Sequence, residues 1–210
     1  MARTGSTGRR GRGGGGGGRL RVVAGTAGGL RLESPAGPAT RPTAERVREA
    51  VFSSIGPTLH GATVLDLFAG TGAMGIEALS RGAARAVLVE HDRREVEVIR
   101  RNLVHTGFAE VGRVAAGPVE RFLERPPPAE APFGLACLDP PYDTPDAEVD
   151  GWVGALAGPG WLAPGALVVV ERPGGSGLAV PAGWEPRFAR TYGDTLVHLL
   201  AAGPRPSDTT

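Results

Sequence analysis

"VLDLFAGTGAMGIEAL", Val64 to Leu79, decides the fold. A mostly apolar run ends at Ala69, Gly70-Thr71-Gly72-Ala73-Met74-Gly75 follows, and a segment suited to a helix comes next. Strand, G-x-G-x-x-G and helix in that order make a nucleotide-type βα turn, in which glycines let a ligand approach the backbone. The turn alone does not choose the ligand, and a tight strand-to-helix connection without any ligand has the same pattern.

Two acids choose between ligands. Glu90 ends the next apolar run, twenty residues after Gly70, where a carboxylate can hold a ribose hydroxyl. Asp66 lies inside the first strand, four residues before Gly70. A carboxylate there repels a pyrophosphate and attracts an ammonium group. S-adenosylmethionine carries a ribose, an amino group and a sulfonium, so the pair suits it better than it suits NAD.

Outward from the turn, the pattern alternates. "TVLDLFA", "ARAVLVE", "GRVAA", "FGLACLD" and "GALVVVE" read as strands, and Ala73–Arg81, Asp92–His105, Val119–Arg125 and Asp146–Leu156 as helices. Continuous apolar strands separated by helices predict a parallel, doubly wound α/β sheet. "RFARTYGDTLVHLLAA" predicts two further extended segments about Tyr192-Gly193-Asp194, closing the sheet as an antiparallel hairpin. Upstream, "RLRVVAG" and "GLRLESP" predict two short strands around Gly25 to Gly29. "TRPTAERVREAVFSSI" predicts a helix with Thr43 as its N-cap and Val47, Ala50, Val51 and Ile55 on one face.

"LDPPYD", Leu138 to Asp143, ends the fourth strand. Prolines cannot donate to a sheet and they hold the backbone rigid, so this segment fixes Asp139 relative to Tyr142. Such rigidity suits chemistry on a planar amine. The lone pair of a nucleobase amine is delocalised into the ring. The Asp139 carboxylate and the Pro140 carbonyl, both accepting from the amine, would draw that pair out of conjugation with little reorganisation. Tyr142 would stack on the base, which must be unpaired or flipped out to reach the pocket.

With these residues in place the chain resembles the class I S-adenosylmethionine-dependent methyltransferases. More narrowly, it resembles the RsmD-type bacterial 16S rRNA (guanine-N2)-methyltransferases. The likeness runs from about Arg21 to Leu200 and rests on "RVVAG", "TRPTAERVREAVF", "VLDLFAGTGAMGIEALSRGA", "VEHDRR", "LDPPYD" and "YGDT". It implies a Rossmann-like, mostly parallel seven-stranded sheet with an antiparallel last strand, plus a small N-terminal hairpin. It implies that Asp66, Phe68, Gly70, Thr71 and Gly72 hold the methionine part of the cofactor, that Glu90 holds the ribose and that His91 flanks the adenine. It implies that Asp139, Pro140, Pro141 and Tyr142 hold the target guanine, with Arg41, Thr43 and Arg46 on the substrate side. One departure stands out: where such enzymes often carry a polar residue for the adenine amine, this chain has Ala115-Ala116-Gly117. The implied partner is 16S rRNA, within an assembled or partly assembled small subunit, and the implied enzyme is a metal-free, cytoplasmic monomer.

Composition agrees with a globular α/β chain: 210 residues, 41% of them hydrophobic, can bury a full core. No apolar run approaches a membrane span and the basic N-terminus lacks the apolar stretch of a signal peptide. The single cysteine, Cys137, excludes an internal disulfide and reads as a small buried hydrophobe. Net charge is only +1, but the first 31 residues hold seven arginines and no acid, an asymmetry that favours an anionic partner. Arg41, Arg46 and Arg48 form a second candidate phosphate-binding group. The expected organisation is a disordered Gly/Arg tail (1–18), a hairpin and helix on the RNA side (19–60), a methyltransferase domain (61–202) and a short tail (203–210).

Three other functions are weighed. "DPPY" also fits DNA adenine-N6 methylation, but there is little chain outside the core for a target-recognition region. A catalytically silent RNA-binding module has no need of Asp66, Gly70, Gly72, Glu90 and Asp139 together. A nicotinamide dehydrogenase needs a proton donor that the four histidines do not obviously supply.

Overall fold

The computed structural model describes residues 20–35 and 42–203, leaving out the side chains of Pro42, Thr43 and Ala44. The Gly/Arg tail and Arg41 lie outside these residues. Seven strands form one sheet: β1 (Thr63–Leu67), β2 (Arg85–Glu90), β3 (Gly112–Ala116), β4 (Phe133–Leu138), β5 (Leu162–Pro173), β6 (Glu185–Tyr192) and β7 (Thr195–Ala201). Their order is β3-β2-β1-β4-β5-β7-β6. The first five are mutually parallel, and β7 runs antiparallel to both of its neighbours. This is the class I methyltransferase sheet that the alternation and the resemblance led to. The chain order reverses at β1/β4, where open α/β sheets bind ligands at the carboxyl ends of their strands.

Helices cover both faces. Helices α1 (Pro42–Ile55), α2 (Ala73–Ser80) and α3 (Arg93–Thr106) pack on one face through Val47, Val51, Phe52, Ile76, Ile99 and Leu103. Helices α4 (Val119–Leu123) and α5 (Asp146–Leu156) cover the other through Val119, Leu123, Val149, Trp152 and Val153. The helix α3 starts where the sequence makes it start: the Asp92 carboxylate accepts from the amides of Arg94 (2.6 Å) and Glu95 (3.3 Å), an N-cap.

Some boundaries differ from the sequence reading. The helix α1 begins at Pro42, so Thr43 lies inside it rather than capping it. Proline is well suited to the first helical position, whose N–H has no helical partner. The strand β5 starts at Leu162, not Gly165, because a register irregularity between Phe133 and Leu135 of β4 absorbs Pro164 and Gly165. The N-terminal hairpin keeps a single antiparallel bridge, Arg21 to Arg31. Cross-arm hydrogen bonds flank that bridge, from the amides of Val22 to the Leu30 carbonyl, of Gly29 to that of Val22 and of Leu32 to that of Leu20 (2.9 Å each), and the turn between the arms is committed to α2. The amides of Val23 and Ala24 donate to Glu77, and those of Thr26 and Ala27 donate to Ser80, both on α2. Gly25 sits so close to α2 that a Cβ would fall 1.9 Å from the Ser80 carbonyl oxygen, so no larger residue fits there.

Glu77 is the hub of this junction. It is fully buried and accepts from Val23 N (2.6 Å), Ala24 N (3.1 Å) and Arg81 Nε (2.6 Å), with Arg48 Nε 3.5 Å away. Arg48 also donates to the Arg21 carbonyl at 2.6 Å and is 4% exposed. It is therefore a core ion-pair partner, not the phosphate contact that its neighbours in sequence implied. Arg46, on the same helix, is exposed.

Candidate active site

The register brings the predicted residues to one edge of one sheet face. Asp66 lies beside Leu88 of β2 and Cys137 of β4, and Leu138 lies beside Leu67 of β1 and Val170 of β5. Asp139 is the next residue along. Side chains alternate across a strand, so Asp66, Glu90, Asp139 and Glu171 share the face that carries Val64, Leu88, Cys137 and Val169.

The turn after β1 is held by these acids. Asp66 is 3% exposed, and its Oδ2 accepts from the Gly75 amide at 2.8 Å, in the first turn of α2. Burial, reinforced by the charges of Asp139 and Glu90, pushes its pKa up to about 7 against the lowering effect of that hydrogen bond. A Cβ on Gly75 would come 2.8 Å from Leu88 Cδ2 and 3.3 Å from Asp66 Oδ2, which is why the third glycine of the motif is glycine. Phe68 has a left-handed backbone (φ 64°), a conformation that a bulky residue holds only when its surroundings impose it. Its ring packs on Trp152 of α5 at 4.7 Å, on the face covered by α4 and α5.

Glu90 closes the turn from β2. Its Oε2 accepts from the Gly70 amide (2.8 Å), and its Oε1 accepts from the amides of His91 and Asp92 (2.8 Å each). His91 is exposed at the rim, its Nδ1 3.1 Å from Glu90 Oε1. The Gly117 amide donates to the Glu90 carbonyl at 2.8 Å, so the backbone donor nearest to the Ala115-Ala116 departure is already engaged. Asn102 of α3, which sequence reading passed over, is fully buried. It donates to the carbonyls of Thr71 (2.9 Å) and Glu33 (3.1 Å) and accepts from the Glu33 amide (2.8 Å), tying the turn to the N-terminal segment.

Asp139 stands just past the carboxyl end of β4. The residue is exposed, and the surrounding protein desolvates its carboxyl enough to raise its pKa to about 6. Pro140 is buried and Pro141 exposed. Tyr142 is 45% exposed, with its hydroxyl 2.7 Å from Thr195 Oγ1 on β7. Beneath the segment lies Arg172, 2% exposed, whose Nη2 donates to the Thr144 carbonyl (2.6 Å) and to Asp146 Oδ1 (2.9 Å). Burial, together with the charges of Asp139 and Asp66, pushes the pKa of Glu171 up to about 8, and Arg48 opposes that rise. Cys137, between these acids and the core, is buried, and its thiol is pushed well above the usual range. Among the described residues there is no cluster of three His, Cys, Asp or Glu fit for a metal, and no helix long and apolar enough to cross a membrane.

A family model described as "Conserved hypothetical protein 95" matches residues 20–201, nearly all of the described chain. The chain belongs to this family. Ribosomal RNA small subunit methyltransferase D of Escherichia coli K12 is 36% identical over 182 residues, 86% of this chain and 89% of that protein. The protein of the same name from Haemophilus influenzae is 32% identical, over 83% of this chain and 89% of its own. A solved Escherichia coli structure superposes with a TM-score of 0.78 at 34% identity, covering 89% of this chain and 99% of that one. An RNA methyltransferase of Salinibacter ruber, solved with S-adenosyl-L-homocysteine, shares the fold at a TM-score of 0.55 and 19% identity, over 79% of this chain and 94% of its own.

Proposed function

We propose that this member of the family methylates the exocyclic N2 amine of a guanine in 16S rRNA, using S-adenosylmethionine as donor. The observation that carries the proposal is a juxtaposition. The Asp139-Pro140-Pro141-Tyr142 segment follows Leu138 directly, and Leu138 pairs with Leu67 at the end of the strand that opens the glycine turn. A candidate amine acceptor and a turn suited to a nucleoside thus lie at the ends of neighbouring strands.

The residues present suit the donor. Each carboxylate oxygen has two lone pairs. Glu90 Oε2 meets one amide and retains capacity for a ribose hydroxyl. Asp66 Oδ2 likewise meets one amide, leaving acceptor capacity for an ammonium group. When bound, S-adenosylmethionine supplies an electrophilic methyl group on a cationic sulfur. The rest is the work of the chain. The Asp139 carboxylate and the Pro140 carbonyl accept from the two N2 hydrogens and localise the nitrogen lone pair. The two prolines keep these acceptors from moving, and Arg172 fixes the turn that follows through Thr144 and Asp146. The Tyr142 ring, held through its hydroxyl by Thr195, forms a wall for the base. Asp139 is placed to take the proton that the amine loses, and its raised pKa makes it a better acceptor than an ordinary carboxylate.

Arg41, Thr43 and Arg46, and the arginine-rich tail, are assigned to RNA phosphates on the substrate side. The substrate is an assembled or partly assembled small subunit, and the enzyme is a cytoplasmic monomer. Incubation with labelled S-adenosylmethionine and undermethylated small subunits, followed by digestion to nucleosides, tests the reading. Label in N2-methylguanosine is the expected result. Label in N6-methyladenosine, or label in free DNA but not in subunits, overturns it.

A further inference from the structure

Glu171 has no place in the assignments above, yet its position is unusual for an acid. It follows Val170 on β5, and Val170 pairs with Leu138, so Glu171 stands on the strand next to Asp139 at the same level. Asp66 is one strand further, paired with Cys137. Three carboxyl groups therefore form a stepped row on one face and at one end of the sheet, Asp139 and Glu171 side by side on β4 and β5 and Asp66 on β1 two residues deeper, level with Cys137 and Val169. The site itself is located by the glycine turn and the Asp-Pro-Pro-Tyr segment, not by these acids. The question is what the third acid adds.

The charged groups around the row are few among the described residues. From β1 comes Asp66, from β4 Asp139 and from β2 Glu90, all acids. From α1 comes Arg48, largely engaged with Glu77 and the Arg21 carbonyl. The residue paired with Glu171 on β7 is Val197, which is apolar. The row has Arg48 as its cation among the described residues, and that cation is already engaged with Glu77, an arrangement that is unfavourable until a positive charge arrives.

We propose that Glu171 completes a carboxyl row that lets this site distinguish the cationic methyl donor from the uncharged thioether left after transfer. The inference rests on the reading of S-adenosylmethionine as donor. Donor and product share the same ribose, adenine and amino-acid head and differ in the charge on sulfur. Both ligands bring the ammonium group assigned to Asp66, and only the donor adds a second positive charge, so a row that is partly protonated when empty loses more protons to the donor than to the product. Asp139 and Glu171 interact, so they titrate as a pair, between about pH 6 and pH 8. Below that window the row is protonated and the two ligands bind alike. Above it the row is ionised and the donor is preferred. The consequence is a site that releases its spent product more readily than its charged donor at neutral and alkaline pH.

Titration calorimetry of the intact chain with S-adenosylmethionine and S-adenosylhomocysteine, at about pH 5.5 and about pH 8.5 and in two buffers of different ionisation enthalpy, tests this without any turnover. One pKa unit corresponds to a tenfold change in affinity, so the donor-to-product affinity ratio should rise by about tenfold across the range. Proton release should be greater with the donor than with the product. Glu171→Gln, nearly isosteric, should flatten the rise, and Glu171→Asp should restore most of it. The wild-type measurement stands even if a variant misfolds. Binding of both ligands with a ratio independent of pH overturns the inference and leaves the methyltransferase reading intact, as does an unchanged rise in folded Glu171→Gln. Binding of neither ligand overturns both.

Discussion

The substitution Asp66→Asn should make the protein more stable and worse at binding its donor, and the stabilisation should depend on pH in a defined sense. Asp66 is 3% exposed, with a pKa raised from 3.8 to about 7, chiefly by burial. A carboxyl whose native pKa lies above its unfolded value binds its proton more tightly in the folded state. Its contribution favours folding fully below the unfolded pKa and is lost as pH rises through the native one. At 1.36 kcal/mol per unit, the loss between pH 4 and pH 8 is about 4 kcal/mol. The asparagine amide would keep an oxygen for the Gly75 N–H, now 2.8 Å from the carboxylate, and would never ionise. The variant and the wild type should therefore be equally stable near pH 4, and the variant about 4 kcal/mol more stable near pH 8.5. Urea unfolding followed by circular dichroism at about pH 4, 6 and 8.5 measures the difference, with equal m-values as the check that only stability has changed. Donor affinity by calorimetry should fall in the same variant. A stability difference that does not vary with pH refutes the reasoning, because Asp66 would then be ionised or solvated equally in both states.

Asp139→Ala should lower the single-turnover rate by about 10²–10³, the effect of losing one preorganised group at a reacting centre, while affinity for S-adenosylhomocysteine is unchanged. A near-normal rate removes Asp139 from the role given to it. Glu90→Ala should weaken S-adenosylmethionine and S-adenosylhomocysteine equally, by about 1.5–3 kcal/mol, since both carry the ribose. It should also lower the melting temperature, because the Gly70, His91 and Asp92 amides lose their acceptor. Arg48→Ala should destabilise the fold by about 3 kcal/mol by opening a buried ion pair, with RNA affinity unchanged. A loss of RNA binding without a loss of stability would return Arg48 to the phosphate-contacting group.

Local signals in the chain determine a great deal. The glycine turn, the apolar strands and the Asp-Pro-Pro-Tyr segment each encode their own conformation within a few residues. They place Asp66 inside its strand and Glu90 and Asp139 at the ends of theirs before any contact is known. Alternation of strand and helix then implies a parallel sheet, and the ends of parallel strands meet at one edge. What lies beyond a few residues is a different matter. Arg46 and Arg48 are two positions apart, and nothing local tells which faces solvent. The answer depends on Glu77, whose oxygens also accept from Val23, Ala24 and Arg81. The same holds for Asn102, which reads as an ordinary helix residue until the Thr71 and Glu33 carbonyls come beside it. Glu171 reads as the polar end of an apolar strand, and only the pairing of Val170 with Leu138 sets it beside Asp139. Local conformation follows from short-range sterics and hydrogen bonding, which a sequence displays. The protonation and the partners of a buried polar group depend on the charges and carbonyls that distant segments bring to it, and only the folded chain brings them.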